Sequence, residues 1–459
     1  MKFLKSINPV NLELINSYRI HSVKDVNNII LKANIAQKSW SLTKIHHRTD
    51  LINELKGVLA DHSKEYSKLI ATEMGKPISQ GMAEIEKCIK LCNYYIDNAE
   101  SILADKNIPC DNSTKFISYK PIGLILGIMP WNYPFWQVFR FSIPIIISGN
   151  GVLLKHAPNV QGCARSIQNS FCKAGFPNSL FSNLILPSFR VKNIIKHQKV
   201  AAVTFTGSSE TGREVASIAG SSLKKTVLEL GGNDPYIILD DAEISKAVNA
   251  CINSRLLNAG QSCIAAKRII VTKTNEARFT KQLLKTLDNK IVGDPTDQVD
   301  VGPLASIDAR NKLHQKVLMS VKSGANLVLG GKINDSKSCY YPITVLTNVK
   351  PGMVAFEDEL FGPVFSITTA SSEDEAISLA NNTKYGLGAS LFTSNLDKGR
   401  YIVKEKLNFG TCYLNDFVKS DPRMPFGGIK DSGYGRELSV FGVMEFVNVK
   451  SVVIENNLG

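Results

Sequence analysis

Apolar positions recur first at helical and then at strand spacing along the chain. Ser22 stands as a cap before Val26, Ile29 and Ile30, and Leu51, Ile52, Leu55, Val58 and Leu59 repeat on one face, so the first hundred residues read as helices. A further helix follows Pro77, with Ile85, Ile89, Cys92 and Ile96 at helical spacing. From residue 122 onward short apolar runs alternate with helical stretches. Segments 122–129, 152–154, 200–205, 226–228, 236–239 and 268–271 read as strands, and strands alternating with helices predict parallel α/β sheets. The helix between the second and third of these strands is expected from Asn159 to just before Gly175.

One stretch raises the question of a membrane. Residues 121–139 carry no charge and another apolar run follows Arg140, but Pro121, Pro130, Pro134 and Pro144 and the polar Trp131-Asn132 interrupt it. A buried strand, loop and helix is the expected form, with no membrane partner. The chain's 459 residues exceed what one core holds, so two or three domains are expected. A net charge of +13 would suit a polyanion, yet the lysines are scattered among acids without a basic run interleaved with aromatics. A solvated surface, and no nucleic acid, is the reading. The nine cysteines are an odd number without a pairwise framework, and Met1-Lys2-Phe3-Leu4 soon meets charges, which predicts a reducing, cytoplasmic setting. Cys88 and Cys92 stand one turn apart without nearby His or carboxylate ligands, so core packing is expected there and no metal site.

Four short segments carry chemistry. Phe205-Thr206-Gly207-Ser208-Ser209-Glu210-Thr211-Gly212 follows a β-rich run and opens a helix, where glycine lets the backbone approach a phosphate. Taken alone, it suits an ordinary capped helix equally well. Pro130-Trp131-Asn132-Tyr133-Pro134 ends another strand and holds an amide donor of the kind a developing oxyanion requires, or a turn-stabilising Asn. Glu229-Leu230-Gly231-Gly232 and Asn258-Ala259-Gly260-Gln261-Ser262-Cys263 then supply a carboxylate and a thiol.

In this order, together with Lys155, Glu359-Leu360-Phe361-Gly362-Pro363, Pro425-Phe426-Gly427-Gly428 and Ser432-Gly433-Tyr434-Gly435-Arg436-Glu437, these segments resemble the aldehyde dehydrogenase superfamily over nearly the whole chain. The resemblance implies an α/β fold with a Rossmann-type nucleotide-binding domain (1–105 and 122–230), an α/β catalytic domain (231–435) and a small β oligomerisation extension (106–121 and 436–459). Segments 114–119 and 446–454 have the β-rich look that strand pairing with a partner needs, and a homodimer or homotetramer follows by analogy. The implied mechanism has the Cys263 thiolate attack an aldehyde, with Asn132 and the Cys263 N–H holding the oxyanion. Hydride then passes to NAD or NADP, and Glu229 activates the water that hydrolyses the thioester. Trp131, Lys155, Gly207, Ser208, Gly212, Leu230, Gly231, Glu359 and Phe361 are the implied cofactor-binding residues. Relatives that prefer NAD often carry a Glu three residues after the lysine; here Pro158 stands there, so NADP need not be excluded, and His156 is expected to assist it.

Among members of the superfamily, the chain is most similar to the bacterial succinate-semialdehyde dehydrogenase branch, through residues 129–138, 155–160 and 260–268. Trp136, Arg140, Ser262 and Phe426 are the implied substrate residues. Arg140 lies eight residues after Asn132, two helical turns on, and its fork suits the distal carboxylate of a semialdehyde. Relatives carry a second arginine six residues before the nucleophile, where this chain has Leu257. Arg255, Lys419, Ser420 and Arg423 are the candidates to compensate, though surface positions are the simpler expectation for all four. Ala265 takes the place of a second cysteine found in relatives with a disulfide switch, so no such switch is expected, while peroxide oxidation of Cys263 stays open. Alternatives are a dehydrogenase for another small aliphatic or semialdehyde substrate, a CoA-acylating variant, and a non-catalytic structural protein. The presence of Glu229 speaks against the second, and Cys263, Asn132 and Glu229 together speak against the third.

Overall fold

The computed structural model describes residues 2–110, 113–333 and 337–455. The chain opens on an antiparallel hairpin, β1 (Phe3–Ile7) and β2 (Leu14–Arg19). This corrects the expectation of helices from the start: Leu4 and Ser6 alternate inward at period two, a pattern too short to stand out beside the long helical repeats that follow. Helices α1 (Val23–Trp40), α2 (Ile45–Asp61), α3 (Ser63–Met74) and α4 (Ile78–Leu103) come next. Ser22 caps α1 in a reciprocal capping box with Asp25, and Cys88 and Cys92 are packing thiols on the buried face of α4.

Strands β3 (Lys106–Ile108) and β4 (Ser113–Pro121) lead into β5 (Leu124–Met129), which carries α5 (Trp136–Ile147) after a six-residue loop. Every residue of β5 and α5 is buried, which accounts for the uncharged stretch without a membrane span. No helix among the described residues is long and apolar enough to cross a membrane. Then follow β6 (Gly151–His156), α6 (Gln161–Lys173), β7 (Phe181–Asn183), α7 (Val191–Ile195), β8 (Val200–Thr206), α8 (Ser209–Gly220) and β9 (Lys225–Glu229). The short β7 and α7 lie inside a region read from sequence as one helix and its flanks.

The second half contributes β10 (Pro235–Ile238), α9 (Ile244–Leu256), β11 (Arg268–Thr272), β12 (Asn326–Leu329), β13 (Thr344–Thr347), β14 (Val364–Ala370), β15 (Gly388–Phe392), β16 (Thr411–Leu414), β17 (Gly433–Tyr434) and β18 (Val447–Glu455). Two sheets organise the molecule. The first runs β17-β9-β8-β5-β6-β7, parallel apart from β17, and the second β12-β13-β14-β11-β10-β15-β16, parallel apart from β12. In the first sheet the chain order reverses at β5, whose neighbours are β6 on one side and β8 on the other. Crevices for ligands form outside the carboxyl ends of strands at such a reversal. The loops after β5, β8 and β9, carrying Asn132, Gly207 and Leu230-Gly231, all open there.

Strand β17 falls within the segment 231–435 expected for the catalytic domain, yet it completes the other sheet, hydrogen-bonded beside Glu229. A third sheet, β18-β4-β3, pairs the two segments expected to reach a partner with each other. Val449, Val453 and Ile454 on β18, an edge strand, stay exposed. Residues 111–112 and 456–459 of the expected extension lie outside the described residues.

Candidate active site

The loop that carries Cys263 departs from α9 through three consecutive residues in the left-handed region, Asn258 (φ 55°), Ala259 (φ 52°) and Gly260 (φ 74°). Asn and Gly tolerate this backbone; Ala259 costs about 1 kcal/mol or more. A Cβ on Gly260 would meet the Gly362 carbonyl oxygen at 2.2 Å, so the loop lies flat on the 359–363 segment. Side chains hold the turn in place. The Asn258 N–H donates to Gln80 Oε1 (2.7 Å), and Asn258 Nδ2 donates to the carbonyls of Asn132 (2.7 Å) and Gln261 (3.2 Å). Arg255, fully buried rather than on the surface, donates to the Leu360 and Gly362 carbonyls. Lys267 bonds the Cys263 carbonyl and pairs with Glu359 at 2.9 Å.

Asn132 reaches the same loop from β5. Its Nδ2 donates to the Gln261 carbonyl at 3.0 Å, while its buried Oδ1 has no partner. The loop that carries it is fastened at both ends. Glu84 of α4, paired with the buried Lys76, accepts from the N–H groups of Phe135 and Trp136 (2.9 Å each), so a carboxylate caps the N-terminus of α5. His156 Nδ1 accepts from the Ala157 N–H at 2.9 Å, which makes Nε2 the donor to the Pro134 carbonyl, also at 2.9 Å. Burial pushes this imidazole down to about 4, leaving it neutral. His156 is therefore a structural clamp on the Asn132 loop, not a group for a cofactor phosphate.

Arg140 stands four residues after Trp136, one turn along α5. Asn132 itself lies in the preceding loop, so the two-turn spacing inferred from sequence does not apply. Only 2 % of the Arg140 side chain is exposed; its Nε contacts the Glu437 carboxylate and its guanidinium lies 4.7 Å over the Phe426 ring. Nη2 has no hydrogen-bond partner. Glu229 is buried beside this pair, its Oε1 unpartnered and close against Gly427, where a Cβ would come within 2.7 Å. Desolvation raises the Glu229 carboxyl well above the ordinary range, with Arg140 opposing and Glu437 adding to the shift.

Two cavities meet at the thiol. The first, about 150 Å³, is lined by Cys263, Ser262, Trp136, Arg140, Leu257, Phe426, Lys87 and Ser420 among others. That volume takes a molecule of about half a dozen heavy atoms. The second, about 240 Å³, holds Cys263 again with Trp131, Asn132, Gly207, Ser208, Leu230, Gly231, Glu359 and Phe361. A neighbouring cleft of about 470 Å³ shares Ser208, Gly231, Glu359 and Phe361 with it. Cys263 thus faces a small apolar pocket on one side and an elongated cleft on the other. Burial pushes its thiol up to about 11, with Lys267 and Arg140 pulling the other way.

The cleft has the features a dinucleotide needs. A Cβ on Gly212 would strike Leu230 at 2.5 Å and one on Gly231 would strike Glu359 at 2.6 Å, so the helix packs tightly on the sheet and the cleft floor stays bare. Ser208 is the N-cap of α8, accepting from the Thr211 N–H at 3.3 Å, with the helix N-terminus open to an anion. Phe361 and Trp131 stack edge to face at 5.9 Å. Lys155 is nearly buried, its Nζ 3.4 Å from Ser188 Oγ, and burial lowers its ammonium to about 8. Glu359 keeps one oxygen on Lys267 and presents the other toward Gly231.

Of the residues named as candidates to compensate for Leu257, Arg423 is an exposed partner of Asp421 outside the pocket, whereas Lys419, exposed and paired with Asp416, and the buried Ser420 both line it. Sequence reasoning missed Lys87, Glu84, Lys76, Asn258, Lys267 and Glu437. Asn258, Lys267 and Glu437 sat in quoted motifs without a role; Lys76, Glu84 and Lys87 look like any solvated charge, and only their burial marks them.

The aldehyde dehydrogenase family model matches residues 1–452. The chain is 41 % identical over 448 residues to the succinate semialdehyde dehydrogenase [NAD(P)+] of Escherichia coli K12, covering 97 % of each chain. It is 40 % identical to a probable succinate-semialdehyde dehydrogenase [NADP(+)] of Synechocystis, covering 98 % of this chain and 99 % of that one. Among solved structures it is similar to the succinic semialdehyde dehydrogenase of Streptococcus pyogenes in complex with NADP+, with a TM-score of 0.96 at 32 % identity, over 99 % of this chain and 100 % of the other.

Proposed function

The chain belongs to the aldehyde dehydrogenase family, and from that premise we propose that it oxidises succinate semialdehyde to succinate with NAD or NADP as hydride acceptor. The observation that carries the reading is the position of Cys263 at the junction of a small pocket and a dinucleotide-shaped cleft. Arg140 lines the pocket, a guanidinium suited to a carboxylate.

In the proposed mechanism the Cys263 thiolate attacks the aldehyde carbon, and the carbonyl oxygen takes the electron pair as an oxyanion. Asn132 Nδ2, held in place by the Gln261 carbonyl, keeps one N–H for that oxygen, with the Cys263 N–H as second donor. What a bound nicotinamide supplies is acceptance of the hydride. Lys155, Ser208, Gly207, Glu359 and Phe361 are the residues to hold the dinucleotide, with Trp131, Gly212, Leu230 and Gly231 shaping its cleft. Loss of hydride from the thiohemiacetal leaves a thioester on Cys263. Water then attacks the acyl carbon while Glu229 takes its proton, and the C–S bond breaks to release succinate and the thiolate. Burial raises the Glu229 carboxyl, so the entry of water favours the ionised form that serves as base. Pro158 puts no carboxylate beside Lys155, which supports acceptance of NADP as well as NAD.

The same reading extends to assembly and setting: a homodimer or homotetramer through the exposed edge of β18, in the cytoplasm, where nine free thiols suit a reducing medium. The test is a set of initial rates with succinate semialdehyde, glutarate semialdehyde and butanal, each with both cofactors. Succinate semialdehyde should give the highest kcat/KM. A strong preference for butanal would overturn the substrate assignment, and acyl-CoA formation on adding CoA would replace hydrolysis with acyl transfer.

A further inference from the structure

The pocket lacks the second arginine of a carboxylate clamp, and Leu257 closes it there as an apolar wall. A cation from a different element enters the same pocket. Lys87, on α4, is half-buried with its Nζ 4.3 Å from the centre of the Trp136 ring, and donates to Ser420 Oγ at 2.6 Å. Glu84 and Asp421 act on its charge, but neither is within ion-pair distance of it. Arg140 is paired with Glu437, Lys419 with Asp416 and Glu84 with Lys76, whereas no carboxylate among the described residues forms an ion pair with Lys87.

We propose that Lys87 is a specificity-determining residue that binds the distal carboxylate of the substrate together with Arg140, with Ser420 orienting its ammonium. This rests on the semialdehyde reading above. An ammonium has three N–H donors; Ser420 takes one, and the indole face beneath Nζ cannot neutralise the charge. A carboxylate entering the pocket offers an acceptor and a counter-charge to Lys87, beside the Arg140 guanidinium that lines the same pocket. An aliphatic aldehyde without the carboxylate offers neither. The groups facing Lys87 are Arg140 from α5, Glu84 and Cys88 from its own helix, Cys263 from the nucleophile loop and Asp421 beyond Ser420. Desolvation, then Arg140, lowers its ammonium to about 8.

The experiment compares the ratio of kcat/KM for succinate semialdehyde to that for butanal in the wild type, Lys87→Met and Lys87→Arg, between about pH 6.5 and 9.5. Taking the ratio cancels the ionisation of Cys263, which both substrates share. Lys87→Met should lower the ratio at least tenfold, the effect of about one charge-assisted hydrogen bond. Lys87→Arg should retain it within about threefold. The wild-type ratio should fall as pH rises through about 8, where the ammonium loses its proton. A Lys87→Met ratio within twofold of wild type, or a wild-type ratio flat through that range, overturns the role of Lys87 while the substrate reading stands. A wild type that prefers butanal overturns both. Should Lys87→Met not fold, Lys87→Arg and the wild-type pH profile still decide.

Discussion

Replacing Arg140 by leucine should destabilise the fold in a way that depends on pH. Glu437 is 3 % exposed, and apart from Arg140 its carboxylate has only Thr204 Oγ1, at 3.4 Å. Without the guanidinium, an ionised Glu437 would face several kcal/mol of desolvation, so taking up a proton is the cheaper outcome. From the ordinary value of 4.5, protonation at pH 7 costs about 3.4 kcal/mol, at about 1.36 kcal/mol per unit over 2.5 units. Burial already lifts Glu437 in the wild type, so this is an upper bound. At pH 5.5 the same sum is about 1.4 kcal/mol. The sign follows from proton counting: the folded variant holds a proton that the unfolded chain lacks at neutral pH. The penalty is therefore fully present near pH 7 and shrinks as pH falls toward 4.5. Equilibrium urea unfolding followed by the fluorescence of the three tryptophans measures it at both pH values. Pairing Arg140→Leu with Glu437→Leu should recover most of the loss, because an apolar pair needs no counter-charge. A penalty equal at pH 7 and 5.5, or a double variant no more stable than Arg140→Leu, would refute the electrostatic account. The loss would then belong to packing against Phe426.

Two further outcomes are expected at Cys263 and Glu229. With its thiol held near 11, Cys263 in the free enzyme is a thiolate in roughly one molecule in ten thousand at pH 7, so its alkylation by iodoacetamide should rise about a hundredfold between pH 7 and 9. Mass spectrometry of the Cys263 peptide follows this apart from the exposed Cys110 and Cys172, and a flat profile would mean that the thiol is activated before cofactor binds. Glu229→Gln should leave the first turnover intact while slowing hydrolysis by about 10²–10⁴-fold. A burst of reduced cofactor of about one per active site, with an acyl group on Cys263, should appear in stopped-flow and intact-mass measurements; steady turnover without a burst would remove Glu229 from the hydrolytic step.

The chemistry was legible in the chain because it sits in short segments whose residue types have few other uses. Gly207 and Gly212 after β8, Asn132 between two prolines, and Cys263 at the end of a Gly-Gln-Ser turn could be read before any fold was known. So could the parallel α/β class, since alternating strand and helix patterns leave few other arrangements. The misreadings have physical reasons. The hairpin of β1 and β2 rests on a period-two pattern only a few residues long. His156 looked like a phosphate ligand beside Lys155, but alternation along a strand sends neighbours to opposite faces, and His156 ends under Pro134.

Sequence alone thus determined the reaction: a thiol, an amide and a carboxylate in family order imply aldehyde oxidation, whatever the pocket around them. Tertiary structure alone decided the pocket's charge. Lys87 is 176 residues from Cys263 in the chain, and nothing local separates it from the other lysines of a helix surface. Arg140 reads as a free fork until folding brings Glu437, nearly three hundred residues later, against it. Charges acquire their function from what buries and pairs them, and burial and pairing are properties of contacts between distant segments.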